Sequence, residues 1–286
     1  MILPNFLIIG ASKAATTSLY HHLAAHPEVF MSRVKEVNFF AYSPTGLGFP
    51  PEWEKDKHHQ FPAKTIEEYA ALFDDAIGCK ATGEASPLYL DSPLAPEAIR
   101  KRLPDVRLIV SLRNPVDRIL SDFKMRLRCG FSTDSFEEAF QPGKQLYELG
   151  FVSGLLGNYL DRFDRRQIKM LLFDDIVSAP ASVMADVYRF LDVSDAFVPD
   201  LERRYNSAPD RRTKRTGSGL RGWAVRLKRR LLSGIKSGDK VTRDTPGLTS
   251  DDLAKYREHL AITYGEEIRR LEAMIGRDLS GWIPRA

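Results

Sequence analysis

Short, fully apolar runs alternate along this chain with longer segments whose apolar residues recur every three or four positions. The apolar runs are bounded by Gly, Pro or polar residues and predict buried strands over 3–9, 106–112 and 168–173, with a weaker fourth over 77–84. The helical period predicts helices over 16–25, 65–73, 95–102, 154–163 and 181–191. Another opens at Asn114-Pro115, with proline at its first position, and runs to about 128. Thr65 caps the 65–73 helix and Glu67 and Glu68 stand in its first turn. Beyond Val193 no strand pattern remains; a strongly basic helix is predicted over 220–232 and one or two amphipathic helices over 250–275. Strands alternating with helices predict an α/β fold with a central parallel sheet flanked by helices. The Pro/Gly-rich stretch 42–62 is too long for an ordinary connection and is read as a functional loop or lid.

Composition narrows the class. With 43% hydrophobic and 28% charged residues in 286, the chain is expected to fold as one domain over 1–286. No apolar run approaches the ~20 residues of a membrane span. The first ten residues lack the basic region and cleavage site of a signal peptide, and Cys79 and Cys129 make no disulfide framework. A cytoplasmic protein is expected. The net charge of +4 is unevenly spread: from Leu201 to Arg243 fourteen Lys/Arg face three Asp/Glu, leaving the rest of the chain at −7. This basic segment, at about 207–246, is the best candidate for mobility. It is either a solvated surface or a contact for an anionic partner, and 221–230 is the part suited to a weak anionic surface.

Candidate chemistry begins at the first strand-to-helix loop, Gly10-Ala-Ser-Lys13-Ala14-Ala15-Thr16-Thr17-Ser18. A helix N-terminus after a strand offers backbone N–H groups and a positive dipole end to a phosphate-like anion. Lys13 adds a charge and three hydroxyls add donors. The loop lacks the Gly-Lys-Ser/Thr of a Walker A sequence, so the hydroxyl that would hold Mg²⁺ is misplaced. It suits an anion better than a magnesium nucleoside triphosphate. The plain alternative is a helix start with an incidental lysine. A second signal is Arg113 at the carboxyl end of the 106–112 strand, where open α/β sheets place ligands, with Ser121 about two helical turns on. The pair could flank one phosphate, or Arg113 could simply pair with Asp117. A third is Lys35-Glu36-Val37-Asn38-Phe39-Phe40, a charged pair before two aromatics, with Glu36 near the anion loop in any βα layout.

Together these three segments resemble the sulfotransferases that use 3′-phosphoadenosine 5′-phosphosulfate (PAPS), above all the heparan-sulfate and carbohydrate branch with its bacterial relatives. Gly83-Glu84-Ala-Ser-Pro-Leu-Tyr89 and Leu271-Glu272…Leu279-Ser280-Gly281-Trp282 continue the resemblance in order along nearly the whole chain. It implies the P-loop-kinase-like sulfotransferase fold and the release of adenosine 3′,5′-bisphosphate. It implies that Lys13, Ala14, Ala15, Thr16, Thr17 and Ser18 hold the phosphosulfate and that Arg113 and Ser121 hold the 3′-phosphate. Glu36 takes the base role and Lys13 meets leaving-group charge. Arg211, Arg212 and Lys214 are the nearest match to a late basic loop over the 3′-phosphate. Glu84, His58 and His59 are placed on the acceptor side, with Trp53 in the same wall. The acceptor is a hydroxyl-bearing carbohydrate or natural product, and neither nucleic acid nor a metal is implied. The pairs His21/His22 and His58/His59 lack metal-ligand spacing and are read as surface or substrate-facing.

Two departures matter. The family usually has glycine where Ala15 stands, so Ala15 is expected at negative φ. It often has lysine where Ala85 stands, so no contact by that lysine is carried over. Two other classes stay open: a P-loop-type kinase, which the missing Gly-Lys-Ser/Thr disfavours, and a non-catalytic binder of nucleic acid or anionic lipid, which leaves Lys13, Glu36 and Arg113 without a role. A member of the family that has lost activity is a further reading.

Overall fold

The computed structural model describes residues 1–46, 62–129, 135–201 and 250–283. Five parallel strands, β1 (Phe6–Gly10), β2 (Val29–Met31), β3 (Ala81–Ala85), β4 (Arg107–Leu112) and β5 (Ile168–Leu172), form one sheet in the order β2-β3-β1-β4-β5. β1 is central. From β1 the chain first goes to the sheet edge at β2 and returns through β3 beside β1, then crosses to build β4 and β5 on the other side. The crevice at the carboxyl ends of β1 and β4 is therefore the switch point at which such sheets bind ligands.

Alternation along β1 explains the apolar runs. Leu7 and Ile9 join Leu108, Val110 and Leu112 on one face; Phe6 and Ile8 join Ile109 on the other. Both faces are covered, so β1 carries no polar side chain, as expected of a central strand in a parallel sheet. The Leu7 face packs against α2 (Phe39–Tyr42), α3 (Ile66–Ala71), α5 (Ala95–Arg102), α9 (Val152–Leu160) and the end of the long α12 (Ser250–Ile275). The Phe6 face packs against α1 (Thr16–Ala24) and α11 (Pro180–Phe190). Gly83, level with Phe6 across the β1–β3 pair, leaves room for its ring: a Cβ there would lie 2.4 Å from Phe6 Cζ. A third cluster, around Phe123, Phe136, Phe140 and Tyr264, seats α12 on α6 (Pro115–Cys129), α7 (Phe136–Ala139) and α8 (Gln145–Glu148). The remaining short helices are α4 (Leu88–Asp91) and α10 (Phe173–Ser178).

The α/β parallel architecture and three of its strands match the sequence reading to within a few residues. The fourth strand differs. It starts at Ala81 rather than 77, because Ile77 is exposed and Gly78, at φ +85°, turns the chain before pairing begins. β2 was not expected; three residues are too short for a period-two pattern to register. The 250–275 segment is a single helix. Thr65 caps α3 as expected, accepting from the Glu68 N–H. The expected basic helix over 220–232 and most of the 42–62 loop lie outside the described residues. Among the described residues no helix is long and apolar enough to cross a membrane.

Candidate functional site

A cleft of about 1100 Å³ opens at the switch point. Its walls bring together Lys13, Ala15, Thr16, Thr17 and Ser18 after β1, Lys35 and Glu36 after β2, and Arg113 and Ser121 after β4. Segments separate in sequence thus meet because β3, β1 and β4 are neighbours and the segment after β2 crosses the end of β3, where Glu36 N–H donates to Ala85 O. Phe173, Ile176, Val177, Pro180 and Leu201 give one end an apolar lining, with His22 buried beside them. Asp91, Met125, Arg126 and Gln145 line another part of the wall.

The loop after β1 has the features that would suit an anion. No side chain caps α1 and no acidic residue stands in its first turn, so nothing competes there with an incoming anion. Two arginines engage the loop's carbonyls. Arg113 Nη1 donates to Lys13 O at 3.0 Å and Arg118 Nε donates to Ser12 O at 3.1 Å. The Arg113 guanidinium lies 4.2 Å over the Phe173 ring. Burial lowers its pKa, while the Asp117 and Asp174 carboxylates pull it back up. Arg113 Nε is buried without a hydrogen-bond partner. A buried cationic donor left unsatisfied is costly, and an anion oxygen is the group that would satisfy it. Behind Arg113 the C-terminal turn braces the site: Asn114 Nδ2 donates to Trp282 O and Trp282 Nε1 donates to Asp174 Oδ2.

Backbone strain is concentrated here. Of the five non-glycine residues at positive φ among those described, four line the cleft: Lys13, Ala15, Glu36 and Asn38. Ala15, expected at negative φ, sits at φ +66°, because the chain must turn from the loop into α1 at that point. A non-glycine residue there costs about 1–2 kcal/mol, partly offset by the greater unfolded-chain entropy of glycine. Ala15→Gly is expected to stabilise the protein by about 1 kcal/mol, raising Tm by roughly 2–4 °C. A drop in Tm would show that the alanine methyl packs favourably.

Glu36 presents an exposed carboxylate at the cleft, and Lys35 Nζ donates to its Oε1 at 2.7 Å. Lys35 is therefore part of the site, although only its neighbour was singled out in the sequence. Ala14 is elsewhere: its side chain is buried in the core and its N–H donates to Ala11 O. Glu84, expected on the acceptor side, is fully buried and does not line the cleft, because β3 places it inside the sheet layer. Its Oε2 accepts from Ser86 Oγ at 2.7 Å and its Oε1 from Tyr69 at 3.3 Å. The neighbouring Tyr89 hydroxyl is buried without a partner of good geometry. His58, His59, Trp53, Arg211, Arg212 and Lys214 lie outside the described residues.

Burial pushes the Glu84 carboxyl up to about 7, against the pull of its hydroxyl donors and Lys35. The folded state then binds a proton that the unfolded state releases between about pH 4.5 and 7. Stability should fall across that window as pH rises, by about 3 kcal/mol for this group. Glu84→Gln is expected to flatten the decline, stabilising the protein more at pH 8 than at pH 5. Parallel Tm–pH curves for the two proteins would refute this.

Fold and cleft define a P-loop-like α/β protein whose cleft at the sheet's switch point brings together Lys13, Arg113 and Glu36. The chain belongs to the sulfotransferase family, whose model matches residues 4–197. It is 27% identical over 252 residues to human carbohydrate sulfotransferase 15, covering 67% of this chain and 44% of that protein. It is 28% identical over 196 residues to mouse heparan sulfate glucosamine 3-O-sulfotransferase 6, covering 66% of this chain and 52% of the relative. The chain thus spans about half the length of these relatives. The crystal structure of a sulfotransferase from Alicyclobacillus acidocaldarius superposes with a TM-score of 0.71 at 27% identity, covering 99% of each chain.

Proposed function

We propose that this protein transfers a sulfuryl group from PAPS to a hydroxyl of a carbohydrate or related alcohol, with Glu36 as general base. The observation that carries this reading is the meeting of Lys13, the α1 N-terminus, Arg113 and Glu36 on one cleft. The residues fit the donor. Arg113 Nε is a buried, unpartnered cationic donor and the loop after β1 adds ammonium, hydroxyl and backbone N–H groups, while the Asp91 and Asp122 carboxylates of the lining are paired with Arg118 and Arg126. When bound, the donor supplies an activated sulfuryl group on a phosphate leaving group.

Each residue's task follows from its place. Thr16, Thr17, Ser18 and the first turn of α1 bind the phosphosulfate end. Lys13 offsets the charge that grows on the leaving oxygen, a role electrostatics makes large inside a cleft. Arg113 and Ser121 take the 3′-phosphate, the feature that separates this nucleotide from ATP. The apolar end at Phe173, Ile176, Val177 and Pro180 takes the base. Lys35 occupies Glu36 Oε1, which leaves Oε2 to accept the acceptor's proton. Carbohydrate acceptors are favoured by the relatives' names, which specify carbohydrate and heparan sulfate glucosamine.

The test is a thermal-shift titration with adenosine 3′,5′-bisphosphate beside ADP, AMP and magnesium ATP, on wild type and Arg113→Ala. At ~100 times Kd, binding adds about 2.7 kcal/mol, or roughly 5–10 °C. The expected shift comes with the bisphosphate alone and is lost in Arg113→Ala. A shift with magnesium ATP alone would replace this reading with a kinase. Transfer of labelled sulfate from PAPS to heparan and chondroitin oligosaccharides, beside simple alcohols, then identifies the acceptor class.

A further inference from the structure

We propose that Glu84 is a positioning residue for the segment carrying Glu36, acting through the Ser86 hydroxyl on the Asn38 N–H. This rests on the reading of Glu36 as the base. Glu84 touches no part of the cleft, so it cannot bind donor or acceptor directly. It reaches the site through one hydrogen-bond chain. Ser86 Oγ donates to Glu84 Oε2 at 2.7 Å and accepts from the Asn38 N–H at 2.9 Å. One residue earlier on the same edge, Ala85 O accepts from the Glu36 N–H at 2.9 Å. The end of β3 thus grips the Glu36–Asn38 segment at two points.

That grip is needed. Glu36 and Asn38 both hold the left-handed conformation, at φ +63° and +56°. Residues of this kind keep such a shape only where their surroundings over-determine it. Val37, Phe39 and Phe40 supply apolar anchors in the core; the Ser86 and Ala85 contacts supply the direction. A serine hydroxyl has one proton and rotates freely unless that proton is committed. By taking it, Glu84 leaves a Ser86 lone pair aimed at Asn38.

The groups facing Glu84 are Tyr69 from α3, Tyr89 from α4, Ser86, and Lys35 through its charge. None is a salt-bridge contact to the carboxyl among the described residues. A buried carboxyl without an ion-pair contact is a poor device for stability. Its geometry instead serves the loop that presents Glu36.

The test uses Ser86→Ala, Glu84→Leu, Glu84→Gln and the Glu84→Leu/Ser86→Ala double variant. Hydrogen exchange of the 34–41 peptide reads the loop without any turnover. The bisphosphate shift reads the donor site, and kcat and KM read the reaction with the acceptor found above. Ser86→Ala and Glu84→Leu are expected to speed exchange in that peptide about tenfold and to lower kcat about tenfold. KM and the bisphosphate shift should hold. Glu84→Gln retains an acceptor oxygen for Ser86 and should behave as wild type in exchange and kcat. The double variant should be no worse than either single change, because both break the same chain. Unchanged exchange in Ser86→Ala, additive losses, or a Glu84→Gln protein as impaired as Glu84→Leu would each overturn the proposal. Ser86→Ala removes one atom, so it decides the matter even if Glu84→Leu fails to fold. A wild-type protein with neither transfer nor a bisphosphate shift would defeat the sulfotransferase reading, while the exchange arm would still decide whether Glu84 positions the loop.

Discussion

Arg118→Leu is expected to lower stability by about 3–5 kcal/mol, the range for removing one partner of a buried charge pair. Arg118 is the largest fully buried side chain among the described residues, at 1% exposure. Its five N–H donors are spread over three segments. Nε reaches Ser12 O, Nη1 reaches Leu149 O at 2.8 Å and Nη2 reaches Asp91 Oδ1 at 3.1 Å. Burial and the nearby Asp122 charge push the Asp91 carboxyl up, and Arg118 holds it down. Without the guanidinium, two backbone carbonyls and a mostly buried carboxylate lose their donor at the wall of the cleft. Lysine, a single point charge on a flexible stem, cannot span the three and should not rescue. Tm should fall by roughly 6–20 °C. Asp91→Asn in the same background should recover part of that loss, since it removes the stranded charge. The Ser12 carbonyl would also be freed to face the anion loop, so any folded fraction should bind adenosine 3′,5′-bisphosphate more weakly. A loss below about 1 kcal/mol in a denaturant titration would mean the site relaxes around leucine, and the clamp argument would fail.

This clamp shows where sequence reading stopped. Arg113 was legible because it stands at the end of an apolar strand, where ligands bind. Arg118 stands five residues later in a helix, in a position that reads as one more surface charge. Only the fold turns it inward, because β1 and β4 are adjacent and α6 passes over the loop after β1. Glu84 misled in the opposite sense. Its motif resembles a functional segment, but membership of a strand covered on both faces places its carboxyl beneath the cleft. The strand register makes this plain, since Glu84 lies level with Leu7 in the β1–β3 pair. Ala15 was expected to keep a negative φ, whereas the turn into α1 puts it at φ +66°. Lys35 and the apolar end of the cleft were missed because contact with Glu36, and proximity of α10 to the switch point, are tertiary facts. Local signals therefore recovered four of the five strands and the segments of Lys13, Arg113 and Glu36 that meet at one cleft, and the residues that hold those parts together required the structure.

Glu36→Gln is the second large effect: transfer should slow by about 10²–10⁴-fold, the usual contribution of a positioned general base. The substitution changes little else. Glutamine is close to glutamate in shape, so the backbone at φ +63° meets no new strain. The Ala85 O bond is made by the backbone N–H and survives. The Lys35 ammonium can still donate to the amide oxygen, as it now donates to Oε1 at 2.7 Å. What is lost is a basic oxygen at the cleft, since an amide does not take up a proton near neutral pH. The donor site, built from Lys13, the α1 N-terminus and Arg113, shares no hydrogen bond with Glu36 among those described, so the bisphosphate shift should match wild type. The signature is thus a kcat loss with donor binding intact. Lys13→Ala should differ: it removes a charge that the proposed function uses in both binding and leaving-group stabilisation, so its loss should appear in kcat and in the bisphosphate shift together. If Glu36→Gln keeps more than a tenth of wild-type kcat, the proton goes elsewhere, and Glu36 serves only to hold Lys35 in place.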